Sequence, residues 1–287
     1  MNAVISSLRK INYRLFGALF LLGLCPTIYT TVRVFFLGTL PGEWSYSIAG
    51  QLSWVNLIYE ILQEAIILPL FFFVGKAIDD KKELTNRVRS GLIVSGAAYA
   101  MLSIFILLSA EKLLDFMMAS PEIINESAIY IRIESIANIF LILYQFALVV
   151  LVALGKSKYV YEITVAKVIL SVISDTFLVS TLPVSANLGV NGIGWSNIFV
   201  NLLLFVVAVV ILRRERIDIF AKEKISFAWM RDFLRIGGIS GLESFVRNIA
   251  YMLMIARMVN AVNEQGTYWV ANNFIWGFLL LPVTQLG

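Results

Sequence analysis

Charged residues lie inside the long apolar stretches of this 287-residue chain, where hydrocarbon-like side chains would otherwise run unbroken. Arg33, Arg132, Lys167, Arg247 and Arg257 stand against Glu60, Glu64, Glu134, Asp175 and Glu243, five cations to five acids. A charge near a bilayer centre costs at least ~2.5 to 3.5 kcal/mol, so such groups face a polar interior, pair with one another, or carry substrate and ions. Arg33 sits in LLGLCPTIYTTVRVFFLG, residues 21–38, and a guanidinium cannot shed its proton to escape burial. It either reaches the interface with its long stem or is neutralised by Glu60, Glu64 or Asp175. Glu60 and Glu64 lie one helical turn apart, where two ionised carboxylates repel. One of them holds a proton, or the two share a cation.

Helical spacing gathers further polar groups into stripes. Asn56, Glu60, Gln63 and Glu64 share one face, as do Thr164, Lys167, Ser171 and Asp175. Asn197 and Asn201 are four residues apart, and Ser240, Glu243, Ser244, Arg247 and Tyr251 form a stripe in which Glu243 and Arg247 can pair along their own helix. A further stripe holds Glu134, Asn138 and Gln145; Arg132 and Glu134 fall close enough to a segment end to reach the interface. Isolated Ser, Thr or Asn residues in such segments also serve as helix–helix glue, worth ~0.6 kcal/mol each.

The composition fixes the class of chain that must position these groups. Hydrophobic residues make up 59% and charged residues 15%, with a mean hydropathy of +0.83, far from a soluble domain. The expected fold class is all-α, a polytopic membrane bundle of about eight helices. Apolar segments near 15–37, 48–74, 91–110, 128–154, 160–182, 189–212, 233–258 and 267–286 are each long enough to span ~30 Å of hydrocarbon. Seventeen lysines and arginines fall between these segments or at their ends on one side and only Lys112 on the other. By the positive-inside rule the amino terminus is cytoplasmic, in a multi-pass protein of the plasma (inner) membrane. The +4 net charge is thus sorted by topology, and no nucleic-acid partner is expected. A single cysteine, Cys25, and the absence of histidine exclude an internal disulfide, His or Cys metal clusters and Ser-His catalysis, leaving proton movement to carboxylates. No metal, cofactor or enzymatic activity is expected.

The loop RRERIDIFAKEKISFAWMRD, residues 213–232, divides the chain. It separates a six-helix amino-terminal lobe, residues 1–212, from the first two helices of a second lobe, residues 233–287, whose remaining helices are expected from the same full-length chain. An amphipathic stretch from Ile225 to Phe233 predicts a linker lying on the membrane surface.

Four stretches carry a family resemblance. ALGKSKYVYEITVAKVILSVISD (153–175) resembles the fourth-to-fifth-helix junction of the multidrug and toxic compound extrusion (MATE) transporters, and NLGVNGIGWSN (187–197) the entry to their sixth helix. TVRVFFLGTL (31–40) is similar to the end of their first helix, and NEQGTYWVANNFIWGF (263–278) to the start of their eighth. The resemblance implies two six-helix lobes around a cavity that opens alternately to either side. It also implies that Asp175, Ser171 and Asn197 take the places of the amino-terminal cation site, with a proton or sodium ion as coupling ion. Arg33 falls where that family has an acid on the first helix, and Arg247 near an acid position on the seventh.

The function expected is ion-driven antiport of amphipathic organic solutes. Asp175, Ser171, Asn197, Glu60 and Glu64 would couple cations or protons, and Arg33, Asn56, Gln63, Lys167, Asn201, Glu243 and Arg247 would line the substrate cavity. A flippase for lipid-linked oligosaccharides, which calls for a net positive cavity, and a non-transporting membrane scaffold are the alternatives.

Overall fold

The computed structural model describes residues 13–284, and every regular element among them is helical. Helix α1 spans Tyr13–Thr39, α2 Ser45–Gly75, α3 Lys81–Phe116, α4 Ile124–Ala153, α5 Ser157–Leu178 and α6 Asn191–Arg214. After the linker, α7 covers Met230–Tyr251 and continues through a π-helical turn at Met252–Ala256 to Arg257–Ala261. Helix α8, Gln265–Phe274, likewise passes through a π-helical turn at Ile275–Leu279 into Leu281–Thr284. Eight helical segments thus occupy the eight apolar stretches. Those of α2, α3, α4 with its leading turn, and α6 are each long and apolar enough to cross a bilayer. The basic residues Arg9 and Lys10 lie outside the described part of the chain.

Several ends follow from local sequence. Asp80 caps α3, its carboxylate accepting from the amides of Lys82 at 2.9 Å and Glu83 at 3.2 Å. This cap explains why α3 starts ten residues before the apolar stretch expected at 91. The LGK sequence closes α4: Gly155 takes a φ of +70°, and the amides of Gly155 and Lys156 reach back to the carbonyls of Val152 and Leu151. That is a Schellman ending, which turns the chain directly into α5.

The bundle is turned inside out relative to a soluble protein. On α5, Val165, Ile169, Ile173 and Phe177 are exposed, whereas Ser171, Ser174 and Asp175 are buried. The exposed stripe suits lipid and the buried stripe faces other helices.

Helix α7 lies antiparallel along α2. Phe233 packs on Phe73, Gly237 and Gly241 sit on Ala65, the Asn248 amide donates to the Leu57 carbonyl at 3.2 Å, and Asn260 bonds Gln51. Gly237 permits the approach, because any Cβ there would strike the Ala65 carbonyl. Small residues four apart bring two helices into backbone contact in this way.

Residues 215–229 form turns and irregular chain, and α7 begins at Met230, three residues before the apolar stretch expected at 233. Helix α3 holds this linker. The Asn86 side chain both donates to the Ser226 carbonyl (3.0 Å) and accepts from its amide (2.7 Å), while Arg89 donates to the carbonyls of Ile219 and Glu223. Trp229 then buries its ring against Phe73 and Phe233 and donates its indole N–H to Ser90 Oγ at 2.9 Å. The backbone groups of Ile219, Glu223 and Ser226 thus find partners on α3 without a helix in the linker.

Candidate functional site

Four helices converge on a buried polar network. Arg33 of α1 donates from Nε to Asp175 Oδ2 of α5 at 2.6 Å, and from Nη2 to Asp175 Oδ1 at 3.3 Å. The same Nη2 donates to Asn197 Oδ1 of α6 at 2.7 Å, and Asn197 Nδ2 donates to Glu134 Oε1 of α4 at 2.7 Å. Arg33 is 9% exposed, Asp175 0% and Glu134 3%, so Arg33 does not reach the interface; of its three candidate partners it takes Asp175. The ring of Tyr29, one turn earlier on α1, lies 5.2 Å from the guanidinium carbon.

Two glycines in NGIG bring Asn197 to this place. A Cβ on Gly192 would lie 2.6 Å from the Leu178 carbonyl oxygen of α5, and one on Gly194 would lie 2.6 Å from Ile133 of α4. Without side chains at both, the first turn of α6 wedges against α5 and α4, and Asn197 falls between Arg33 and Glu134.

Glu134 corrects the sequence reading. It lies ten residues inside α4, about 15 Å along the axis, too deep to reach the interface. Arg132 does turn outward, pairing with Glu111 of α3 at 2.9 Å.

A second cluster joins α2 to α7. Arg247 Nη2 bonds Glu64 Oε1 and lies 3.7 Å from Glu60 Oε1, while its Nη1 is 3.9 Å from Glu243 Oε1. The expected pairing of Glu243 with Arg247 along α7 is therefore the loosest of the three. Glu243 is 80% exposed, and the dominant partner is Glu64 on the neighbouring helix. One guanidinium serves three carboxylates, leaving Glu60 only partly compensated.

Between the two clusters lies a cavity of about 520 Å³. Asn56, Glu60, Gln63 and Glu64 line it from α2, Arg33 from α1, Lys167 from α5, and Asn197 and Asn201 from α6. Glu134 and Asn138 add α4 to the wall, and Trp269 and Asn273 add α8. Of the residues expected around the cavity, Ser171 is buried in α5 away from the lining, Asp175 lies behind Arg33, and Glu243 and Arg247 stand outside the lining, the latter through its bond to Glu64.

Lys167 differs from the other cations. Its Nζ lies 5.3 Å from the Tyr144 ring centroid, and no ion pair among the described residues includes it. A cation–π contact is worth ~0.5 to 2 kcal/mol, less than the ~2.5 to 3.5 kcal/mol cost of a lysine in hydrocarbon. The ammonium is held there by the polar cavity it faces.

Among the described residues, an all-helical bundle with charges turned inward around a cavity has the architecture of a polytopic membrane protein. Residues 65–178 match the MatE family model. The fold is similar to that of an outward-facing multidrug resistance MATE family transporter of the MOP superfamily, with TM-score 0.72 and 17% identity, covering 94% of this chain and 62% of that one. A MATE in complex with Br-NRF matches at TM-score 0.70 and 17% identity over 95% and 63% of the two chains. An inward-facing multidrug resistance MATE family transporter matches at TM-score 0.71 and 19% identity over 93% and 59%. The chain thus spans less than two thirds of the length of each. No curated protein matches it in sequence. Part of the chain thus matches the MatE family model, and its fold is similar to that of MATE transporters.

Proposed function

We propose that the protein exports amphipathic organic solutes by alternating access, in antiport against a proton or sodium gradient. The observation that carries this reading is the polar cavity itself: about 520 Å³ inside an apolar bundle, with Glu60 and Glu64 on its wall sharing one guanidinium. Two ionised carboxylates held so closely repel, which favours one of them taking up a proton or the two sharing a cation. Glu60 and Glu64 are the coupling acids on this reading. Asp175 and Asn197, two of the expected cation-site residues, bind the chain's own Arg33. The protein lies in the plasma membrane with a cytoplasmic amino terminus.

A flippase for lipid pyrophosphates is the weaker reading. Glu60, Glu64 and Glu134 outnumber Arg33 and Lys167 on the cavity wall, which does not favour a polyanion. The test is efflux from vesicles under an imposed proton or sodium gradient, with a panel of cationic, zwitterionic and anionic dyes. Gradient-stimulated efflux of at least one dye is expected; none from any dye under either gradient contradicts the reading.

A further inference from the structure

The linker between α6 and α7 is fixed at a definite depth. Arg89 of α3 donates to the carbonyls of Ile219 and Glu223, and Asn86 holds Ser226 by both its amide and its carbonyl. The apolar stretch of α3 begins at 91, so Arg89 and Asn86 leave the helix about 3 and 7.5 Å outside it. The headgroup layer on each face of a bilayer is about 5 to 8 Å thick. Residues 219–226 are therefore level with lipid headgroups, and Trp229, bonded to Ser90, fixes the chain just beyond them.

At that depth the linker presents cations and aromatic rings. From Arg213 to Arg235 seven basic residues stand against four acids. Two of the acids are taken, Glu215 by Lys156 at 2.7 Å and Asp218 by Arg213 at 3.4 Å. Lys222, Lys224, Arg231 and Arg235 are exposed and enter no ion pair among the described residues. The acids between them, Glu223 and Asp232, are exposed too, which leaves two cations in excess. Phe220 is 69% exposed and Phe227 48%. Rings so placed are costly in water and suited to the boundary between headgroups and acyl chains.

We propose that the linker is a binding surface for anionic phospholipids. Lys222, Lys224, Arg231 and Arg235 hold the headgroups, and Phe220 and Phe227 rest on the upper acyl chains. Basic residues next to a membrane segment attract anionic lipid in this way. An acidic protein in solution fits less well, because it would have to displace headgroups to reach residues held at their level. This surface lies at the end of the bundle, apart from the cavity of the exporter reading, and stands or falls without it.

Titrating the protein in maltoside micelles with pyrene-labelled phosphatidylglycerol or phosphatidylcholine, and reading energy transfer from its tryptophans, tests the proposal. Phosphatidylglycerol should bind at least about fivefold more tightly, the worth of one interfacial lysine or arginine. Lys222→Gln/Lys224→Gln/Arg231→Gln/Arg235→Gln should erase that preference, and Lys222→Arg/Lys224→Arg should retain it. Lys112→Gln, on the last turns of α3 at the opposite end of the bundle, should leave it unchanged. If the fourfold variant does not fold, Lys222→Gln/Lys224→Gln, confined to the irregular chain, should at least roughly halve the preference. Equal affinities for the two lipids overturn the proposal, as does a preference that survives the glutamine variants or is lost with Lys112→Gln. Displacement of phosphatidylglycerol by soluble glycerol phosphate at equal concentration would mark a site for free phosphate and overturn the assignment to lipid.

Discussion

The guanidinium of Arg33 and the carboxylate of Asp175 meet at two points, 2.6 and 3.3 Å, across the interface of α1 and α5, and Asp175 is wholly buried behind the pair. The resemblance to MATE transporters puts an acid at Arg33 and a cation site at Asp175. Here a tethered cation stands where an exchangeable one would, and it also holds Asn197 and, through it, Glu134. Removing one member of a buried pair leaves an uncompensated charge, which costs ~3 to 5 kcal/mol. Arg33→Met should therefore lower Tm sharply, and the double variant Arg33→Met/Asp175→Asn should recover most of the loss. Thermal unfolding in detergent, followed by tryptophan fluorescence, reads both. Equal Tm values for the unmodified protein and Arg33→Met would show that the pair does not hold the helices.

Docking of α7 onto α2 depends on one missing side chain. A leucine at Gly237 meets the Ala65 backbone, so Gly237→Leu should cost ~1 to 3 kcal/mol of overpacking strain. Gly238, its neighbour, has open space where a Cβ would go. Gly238→Ala should be neutral or stabilising by up to ~1 kcal/mol from helix propensity. Comparing the two Tm values separates a packing contact from a general intolerance of change in α7.

Trp229 pins the linker to the bundle through Phe73, Phe233 and Ser90. Trp229→Ala should cost ~3 to 5 kcal/mol by leaving a large cavity, and should make residues 215–229 a preferred site of limited proteolysis. Trp229→Phe keeps the ring packing but drops the N–H to Ser90, so it should cost only ~1 kcal/mol. Equal cleavage rates in all three proteins would contradict the clamp.

Hydropathy located all eight helical segments because each stretch is apolar enough to stand out from its flanks. Their ends were harder to see. Helix α3 begins in KKELTNRVR, a polar run that reads as loop until Asp80 is seen to cap it. The same effect hid Glu134: the polar first turns of α4 moved its apparent start inward and put the acid near an interface it does not reach. Stripes on α2, α5 and α6 were legible, since period 3.6 places their polar groups on one face. Which partner each charge takes was not. Arg247 prefers Glu64 on another helix to Glu243 on its own, and Arg33 takes Asp175 in place of Glu60 or Glu64. Those choices depend on how helices cross, and small residues such as Gly237, Gly192 and Gly194 set the crossings.

On the proposed function, coupling lies in the Glu60–Glu64 pair, while Arg33 occupies the Asp175 site. Gradient-stimulated dye efflux from vesicles, measured for the unmodified protein and for Glu60→Gln/Glu64→Gln, tests it most directly. The double variant should lose the gradient-stimulated component while still exchanging dye down its own gradient. If proton or sodium gradients drive efflux equally well through the double variant, the coupling acids lie elsewhere and the claim is contradicted.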